Sequence, residues 1–142
     1  MSKRLPLLLL LALTLAGCDN KKEQGQDPGM DPGLETAAEV CLNVKGKRIF
    51  TYAEGTTQLG FNRALRQFRA GNDDMTTYFI VTCSELPVKE GQEIRADLSW
   101  RVSGNSAKTT GKAFTVMKIE DTGLVRLWCA EDKTGAVVKI LD

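Results

Sequence analysis

From Ile94 to Val102 the chain reads Ile-Arg-Ala-Asp-Leu-Ser-Trp-Arg-Val, a strict alternation of apolar and polar residues. Successive side chains of a strand point to opposite faces, so this stretch has one apolar and one wet face and belongs in a sheet covering a core. A helix would scatter the same apolar residues around its circumference. Similar β-prone runs recur at Val40–Val44, Arg48–Tyr52, Thr76–Cys83, Ala113–Ile119, Leu124–Ala130 and Ala136–Leu141.

Turn-forming clusters separate these runs: Lys45-Gly46-Lys47, Glu90-Gly91-Gln92, Gly104-Asn105, Glu120-Asp121-Thr122-Gly123 and Glu131-Asp132-Lys133-Thr134-Gly135. The glycines that end the last two suit hairpin loops closing through a left-handed residue, so the last four strands read as a meander. One segment departs from the two-residue period. Between Thr57 and Ala70, residues Phe61, Ala64, Leu65 and Phe68 share one helical face and leave Arg63, Arg66 and Gln67 off it. With Thr56 or Thr57 as cap, Arg66 and Arg69 at the negative end of the dipole and Gly71 as the stop, the spacing predicts a helix over residues 57–70. The expected fold is mainly β: a small antiparallel sandwich or partly open barrel of about seven strands, with one short helix over an edge or an open end.

The amino terminus carries a different signal. Lys3 and Arg4 precede an apolar run from Leu5 to Ala16. About 12 apolar residues make a helix of about 18 Å, short of the roughly 30 Å hydrocarbon core, so the run reads as a secretory leader and not a permanent span. Its end, Leu15-Ala16-Gly17-Cys18, resembles the lipobox of bacterial lipoproteins. That resemblance implies diacylglycerol on the Cys18 sulfur, cleavage before Cys18 and acylation of the new amino terminus. Two or three acyl chains, at about 0.8 kcal/mol per buried methylene, anchor a protein stably where one does so marginally. Asp19, followed by Asn20, is similar to the sorting signal that keeps lipoproteins of enteric bacteria in the inner membrane. The expected location is therefore the periplasmic side of the cell envelope, with the inner membrane favoured over the outer.

Residues 19–38 are polar and rich in Gly, Pro and Asp, with Asp27-Pro28-Gly29 nearly repeated as Asp31-Pro32-Gly33. They read as a tether of about 20 residues, with an r.m.s. reach of about 25 Å in the flexible-coil regime. The organisation expected is a leader over 1–17, lipidated cysteine and tether over 18–38, and a single β-rich periplasmic domain over 39–142.

Once the two leader cations are removed, acids exceed bases by one. No basic footprint for nucleic acid is present, and no nucleic-acid partner is expected. The chain has no histidine, which removes Ser-His-Asp and Cys-His nucleophiles and His-ligated zinc. Gly-x-Ser-x-Gly, Ser-x-x-Lys and Cys-x-x-Cys motifs are missing from the sequence. Asp121-Thr122-Gly123 matches the triplet of aspartic proteases, which need two such aspartates. It stands alone, where a hairpin turn is expected. Asp132-Lys133-Thr134-Gly135 matches the phosphorylated loop of cation-pumping ATPases, whose length and helices this chain lacks. The acidic pairs Asp73-Asp74, Glu120-Asp121 and Glu131-Asp132 fall in expected loops without a calcium-loop spacing. No enzyme activity, metal or cofactor is expected.

With Cys18 lipidated, Cys41, Cys83 and Cys129 remain in an oxidising compartment and allow one internal disulfide. Cys41 lies near a strand start and the other two near strand ends, so a bond from Cys41 to Cys83 or Cys129 is favoured in an antiparallel sheet. Closing a loop of about 40 to 90 residues would contribute roughly 3 to 5 kcal/mol. Two surfaces suggest binding. One parity of the Leu124–Ala130 run presents Leu124, Arg126 and Trp128, the composition of an interface hot spot if exposed. The Arg63, Arg66 and Arg69 face of the expected helix suits anionic head groups or an acidic partner. The function expected is a lipid-anchored periplasmic binding protein that recognises another protein, an immunity or inhibitor lipoprotein being one form. The alternative is a structural lipoprotein of an envelope-spanning secretion or conjugation assembly.

Overall fold

Each β-prone run forms a strand in the computed structural model, which describes residues 30–140. The strands are β1 (Cys41–Val44), β2 (Lys47–Thr51), β3 (Gln58–Asn62), β4 (Gln67–Gly71), β5 (Tyr78–Cys83), β6 (Glu93–Val102), β7 (Asn105–Ile119), β8 (Leu124–Cys129) and β9 (Thr134–Lys139). They make one nine-stranded antiparallel sheet in the order β2-β1-β9-β8-β7-β6-β5-β4-β3. Strands β3 to β9 follow one another as a meander, and the β1–β2 hairpin closes onto the free side of β9.

The sheet curls into a half-barrel. Phe50 on β2 meets Phe79 on β5 edge-to-face, with ring centroids 5.1 Å apart, although five strands separate β2 from β5 in the hydrogen-bonded order. The concave face carries the main core, in which Phe79, Leu42, Val116 and Leu127 are fully buried. The alternation of Ile94, Ala96 and Leu98 supplies the β6 part of it, as the period of two requires.

Residues 57–70 form no helix. They are the β3–β4 hairpin, in which Phe61 pairs with Phe68, Leu59 with Ala70 and Asn62 with Gln67. The spacing between Phe61 and Phe68 is shared by two helical turns and by two strands joined through four residues, and the hairpin buries Phe68 against Phe79 and packs the partly buried Phe61 on the same core. Its turn is held by the Leu65 amide, which donates to Asn62 Oδ1 at 3.0 Å, and by Arg66 in the left-handed region at φ 54°. The two added strands raise the sheet from about seven strands to nine.

The one helix among the described residues, α1 (Pro32–Glu35), lies within the stretch whose composition reads as tether. Asp31 caps it, its side chain accepting from the Gly33 amide at 3.0 Å, and Pro32 occupies the first turn. The second Asp-Pro-Gly thus starts a helical turn that packs on the convex face of the sheet.

Candidate functional site

The strand expected to offer a hot spot is covered on both faces. Register places Trp128 opposite Thr115 on β7 and Gly135 on β9, and Arg126 opposite Val137. Over this convex face lies the strap of residues 30–37, whose Leu34 is fully buried with Ala37, Cys41, Trp128 and Val137. Gly135 makes room for it. A Cβ there would overlap Leu34 Cδ2 and stand 2.8 Å from Trp128 Cε3 and 3.0 Å from Leu127 O. Polar bonds fasten the strap: Arg126 Nη1 donates to Leu34 O at 2.8 Å, Asn43 Nδ2 to Asp31 Oδ2 at 2.9 Å, and Arg48 Nη2 to Gly33 O at 2.6 Å. Arg126 Nη2 also pairs with Glu120 Oε2 at 3.1 Å. Arg126 and Trp128 are therefore each only 8% exposed, and Leu124 is half-buried, so this face is occupied by the chain's own strap. Trp128 Nε1 finds no acceptor among the described residues.

Cys41, Cys83 and Cys129 are free, buried and beyond disulfide distance of one another. Strand order alone favoured a bond from Cys41, but parity decides otherwise: Cys41 lies on the convex side with Trp128, whereas Cys83 and Cys129 lie in the concave core. Cys41 pairs with Val137 and Cys129 with Thr134, three residues apart on β9. Burial pushes the Cys83 thiol up to about 11 and raises that of Cys41, against the lowering effects of nearby Arg66 and Arg48 respectively.

The three arginines expected on one helix face are dispersed. Arg63 lies in the β3–β4 turn with its guanidinium 5.7 Å from the Phe61 ring centre, Arg66 Nε donates to Cys83 O at 2.9 Å, and Arg69 projects from β4. The acidic pairs are tied into loops. Asp73 accepts from Gln58, Asp74 accepts from the Thr76 hydroxyl at 2.9 Å, Glu120 holds Arg126, and Glu131 and Asp132 face Lys112. Bonds from Thr76 hold the Asp74 carboxyl below its ordinary range. Among the described residues no group of three His, Cys, Asp or Glu side chains could hold a metal ion. Cys18, Asp19 and Asn20, the lipidation and sorting residues expected from the leader, lie outside the described residues.

The open feature of the fold is at the end where β6 turns into β7. Ser103 and Gly104, at φ 53° and 81°, form a two-residue turn. The ladder then runs from Val102 opposite Asn105 to Leu98 opposite Thr109. There it breaks: Ala96 faces Lys112, leaving one extra residue on β7. Gly111 takes φ 65° at this bulge, its amide donating to Asp97 Oδ1 at 2.8 Å and its carbonyl accepting from Arg95 Nη1 at 3.0 Å. Strand β8 pairs with β7 only from Thr115 to Ile119, so from Asn105 to the bulge the second edge of β7 has no strand beside it among the described residues.

Beside that edge opens a cleft of about 360 Å³. Leu98, Trp100, Phe114, Ala107 and Thr109 form the hairpin's wall, Val44 and Thr134 face them from β1 and β9, and Lys45, Lys112 and Asp132 add charge. Lys112 Nζ lies 3.4 Å from Glu131 Oε2 and 3.7 Å from Asp132 Oδ1, and chiefly the Asp132 charge raises its pKa. An apolar hollow next to unpaired backbone donors and acceptors is equipped to hold a side chain and the chain that carries it. Reading the sequence missed this site because Asn-Ser-Ala-Lys-Thr-Thr-Gly-Lys, residues 105–112, shows no apolar alternation. The available signal was the length of β6, whose far half needs a partner strand. No protein-family model matches the chain, and neither a curated protein nor a solved structure matches it.

Proposed function

We propose that this chain is a lipid-anchored recognition module of the bacterial cell envelope, facing the periplasm and binding another protein at the open end of the half-barrel. The observation that carries the recognition role is the cleft beside the unpaired half of β7, where apolar lining, mixed charge and free backbone groups meet on an exposed rim. The anchor rests on the lipobox-like Leu15-Ala16-Gly17-Cys18, and the inner-membrane preference on Asp19 and Asn20.

The test is chemical crosslinking of the tagged full-length chain in bacterial cells, followed by affinity purification. A discrete adduct is expected from the wild type, reduced at least tenfold by Thr109→Trp, which fills the cleft. An adduct pattern unchanged by that substitution, or no adduct, overturns the recognition role. An adduct with a toxin or an enzyme that loses activity on binding makes the module an immunity or inhibitor lipoprotein. An adduct with a large membrane complex makes it a component of an envelope assembly. Loss of palmitate labelling in Cys18→Ala tests the anchor independently.

A further inference from the structure

We propose that the free edge of β7 receives an extended segment of the partner as an added strand, with an apolar side chain of that segment in the cleft and an acidic one beside Lys108. The inference rests on the recognition role proposed above and specifies its geometry.

Backbone direction is the first argument. In the two-residue turn the Val102 carbonyl accepts from the Asn105 amide, and hydrogen-bonded and non-bonded pairs alternate along an antiparallel ladder. Asn105, Ala107 and Thr109 therefore spend their backbone groups on β6, while Ser106 and Lys108 turn theirs outward. Ser106 and Lys108 are exposed, and among the described residues no strand besides β6 pairs with them. The ladder is irregular at the Gly111 bulge, and among the described residues the pairing of β7 with β8 begins only at Thr115, opposite Trp128. From Asn105 to Thr110 the edge spans about 20 Å at about 3.4 Å per residue, enough for a strand of ordinary length.

The cleft and the charges specify the occupant. On the concave parity β7 offers the small side chains of Ala107 and Thr109, so an adjacent strand on that edge would direct alternate side chains toward Trp100 and Phe114. Lys112 is matched by Glu131 and Asp132, whereas Lys45 and Lys108 make no ion pair among the described residues. That imbalance favours an acidic segment. A second copy of this chain, paired edge to edge about a twofold axis, would bring two Lys108 side chains together, and like charges on facing strands are destabilising.

The test selects random dodecapeptides displayed on phage against the full chain in detergent micelles. Enriched peptides with alternating apolar residues and at least one acid are expected. Their binding should weaken at least tenfold in Lys108→Pro, which removes an outward amide that the β6 ladder does not use, and only a fewfold in Lys108→Ala. On the wild type, bound peptide should slow amide exchange at Ser106 and Lys108 at least tenfold, a readout that stands even if Lys108→Pro fails to fold. Strand addition is overturned by any of three results: no enrichment, binding without slowing of those two amides, or their protection in a peptide-free dimer. If Thr109→Trp abolishes the cellular adduct and Lys108→Pro leaves it intact, the recognition role survives and strand addition does not.

Discussion

Leu34 and Gly135 form a lock whose two halves can be separated by mutation. Leu34 is fully buried against the convex face, and truncating such a residue to alanine costs about 2 to 5 kcal/mol. Gly135→Ala removes conformational freedom from the unfolded chain, worth about 0.4 to 1 kcal/mol in favour of folding. It also places a methyl where Leu34 Cδ2 sits, with Trp128 Cε3 at 2.8 Å and the Leu127 carbonyl at 3.0 Å. Overpacking of this kind costs about 1 to 3 kcal/mol, so the variant is destabilised by about 1 to 2 kcal/mol net. In Leu34→Ala/Gly135→Ala the worst overlap is gone and the new methyl fills part of the vacated space. The double variant should therefore be more stable than the sum of the singles by about 1 kcal/mol. Urea unfolding followed by tryptophan fluorescence measures all four corners of the cycle, since Trp128 lies under Leu34. Additivity within about 0.3 kcal/mol, or a stabilised Gly135→Ala, would refute the seating of the strap on Gly135.

Further consequences can be measured on the same protein. Arg126→Met should lose about 1 to 3 kcal/mol, because it orphans the Leu34 carbonyl, whereas Glu120→Gln should lose less than about 1 kcal/mol, its side chain being one-third exposed; urea midpoints separate the two. The Cys83 thiol is raised from 9.0 to about 11 in the fold, so its contribution is complete below pH 9 and lost between pH 9 and 11 as the unfolded thiol ionises first. The stability of the wild type should fall relative to Cys83→Ala by roughly 2 to 3 kcal/mol across that window, and parallel curves would contradict the burial. Thiol titration of protein purified without reductant should find Cys41, Cys83 and Cys129 unreactive at pH 8 when folded and all reactive in denaturant; a missing thiol would reveal a bond that the geometry does not allow.

What could be read from the sequence was whatever a local period controls. Strand β6 declares itself through Ile94, Ala96, Leu98 and Trp100, and the turn at Asp121-Thr122-Gly123 closes through Gly123 at φ 96°, as its composition requires. The second such turn differs: Lys133 takes the left-handed position at φ 52°, while Gly135 lies inside β9 for the sake of Leu34. That requirement is tertiary and leaves no local trace. The β3–β4 hairpin mimics a helix in sequence because a four-residue turn reproduces a helical repeat between Phe61 and Phe68. Which face of β8 is covered depended on α1, where a tether composition conceals one buried leucine. The cleft was illegible because polar residues 105–112 form a strand only through pairing with β6, and pairing is not encoded in their own hydropathy.

The recognition role is tested most directly by placing a photo-crosslinking residue at Ser106, on the free edge of β7, and in a second strain at Lys89, in the loop joining β5 to β6 at the opposite end. Irradiation of living cells should give a discrete adduct from position 106 and none from position 89. Equal adducts at both positions, or none at 106, would contradict it.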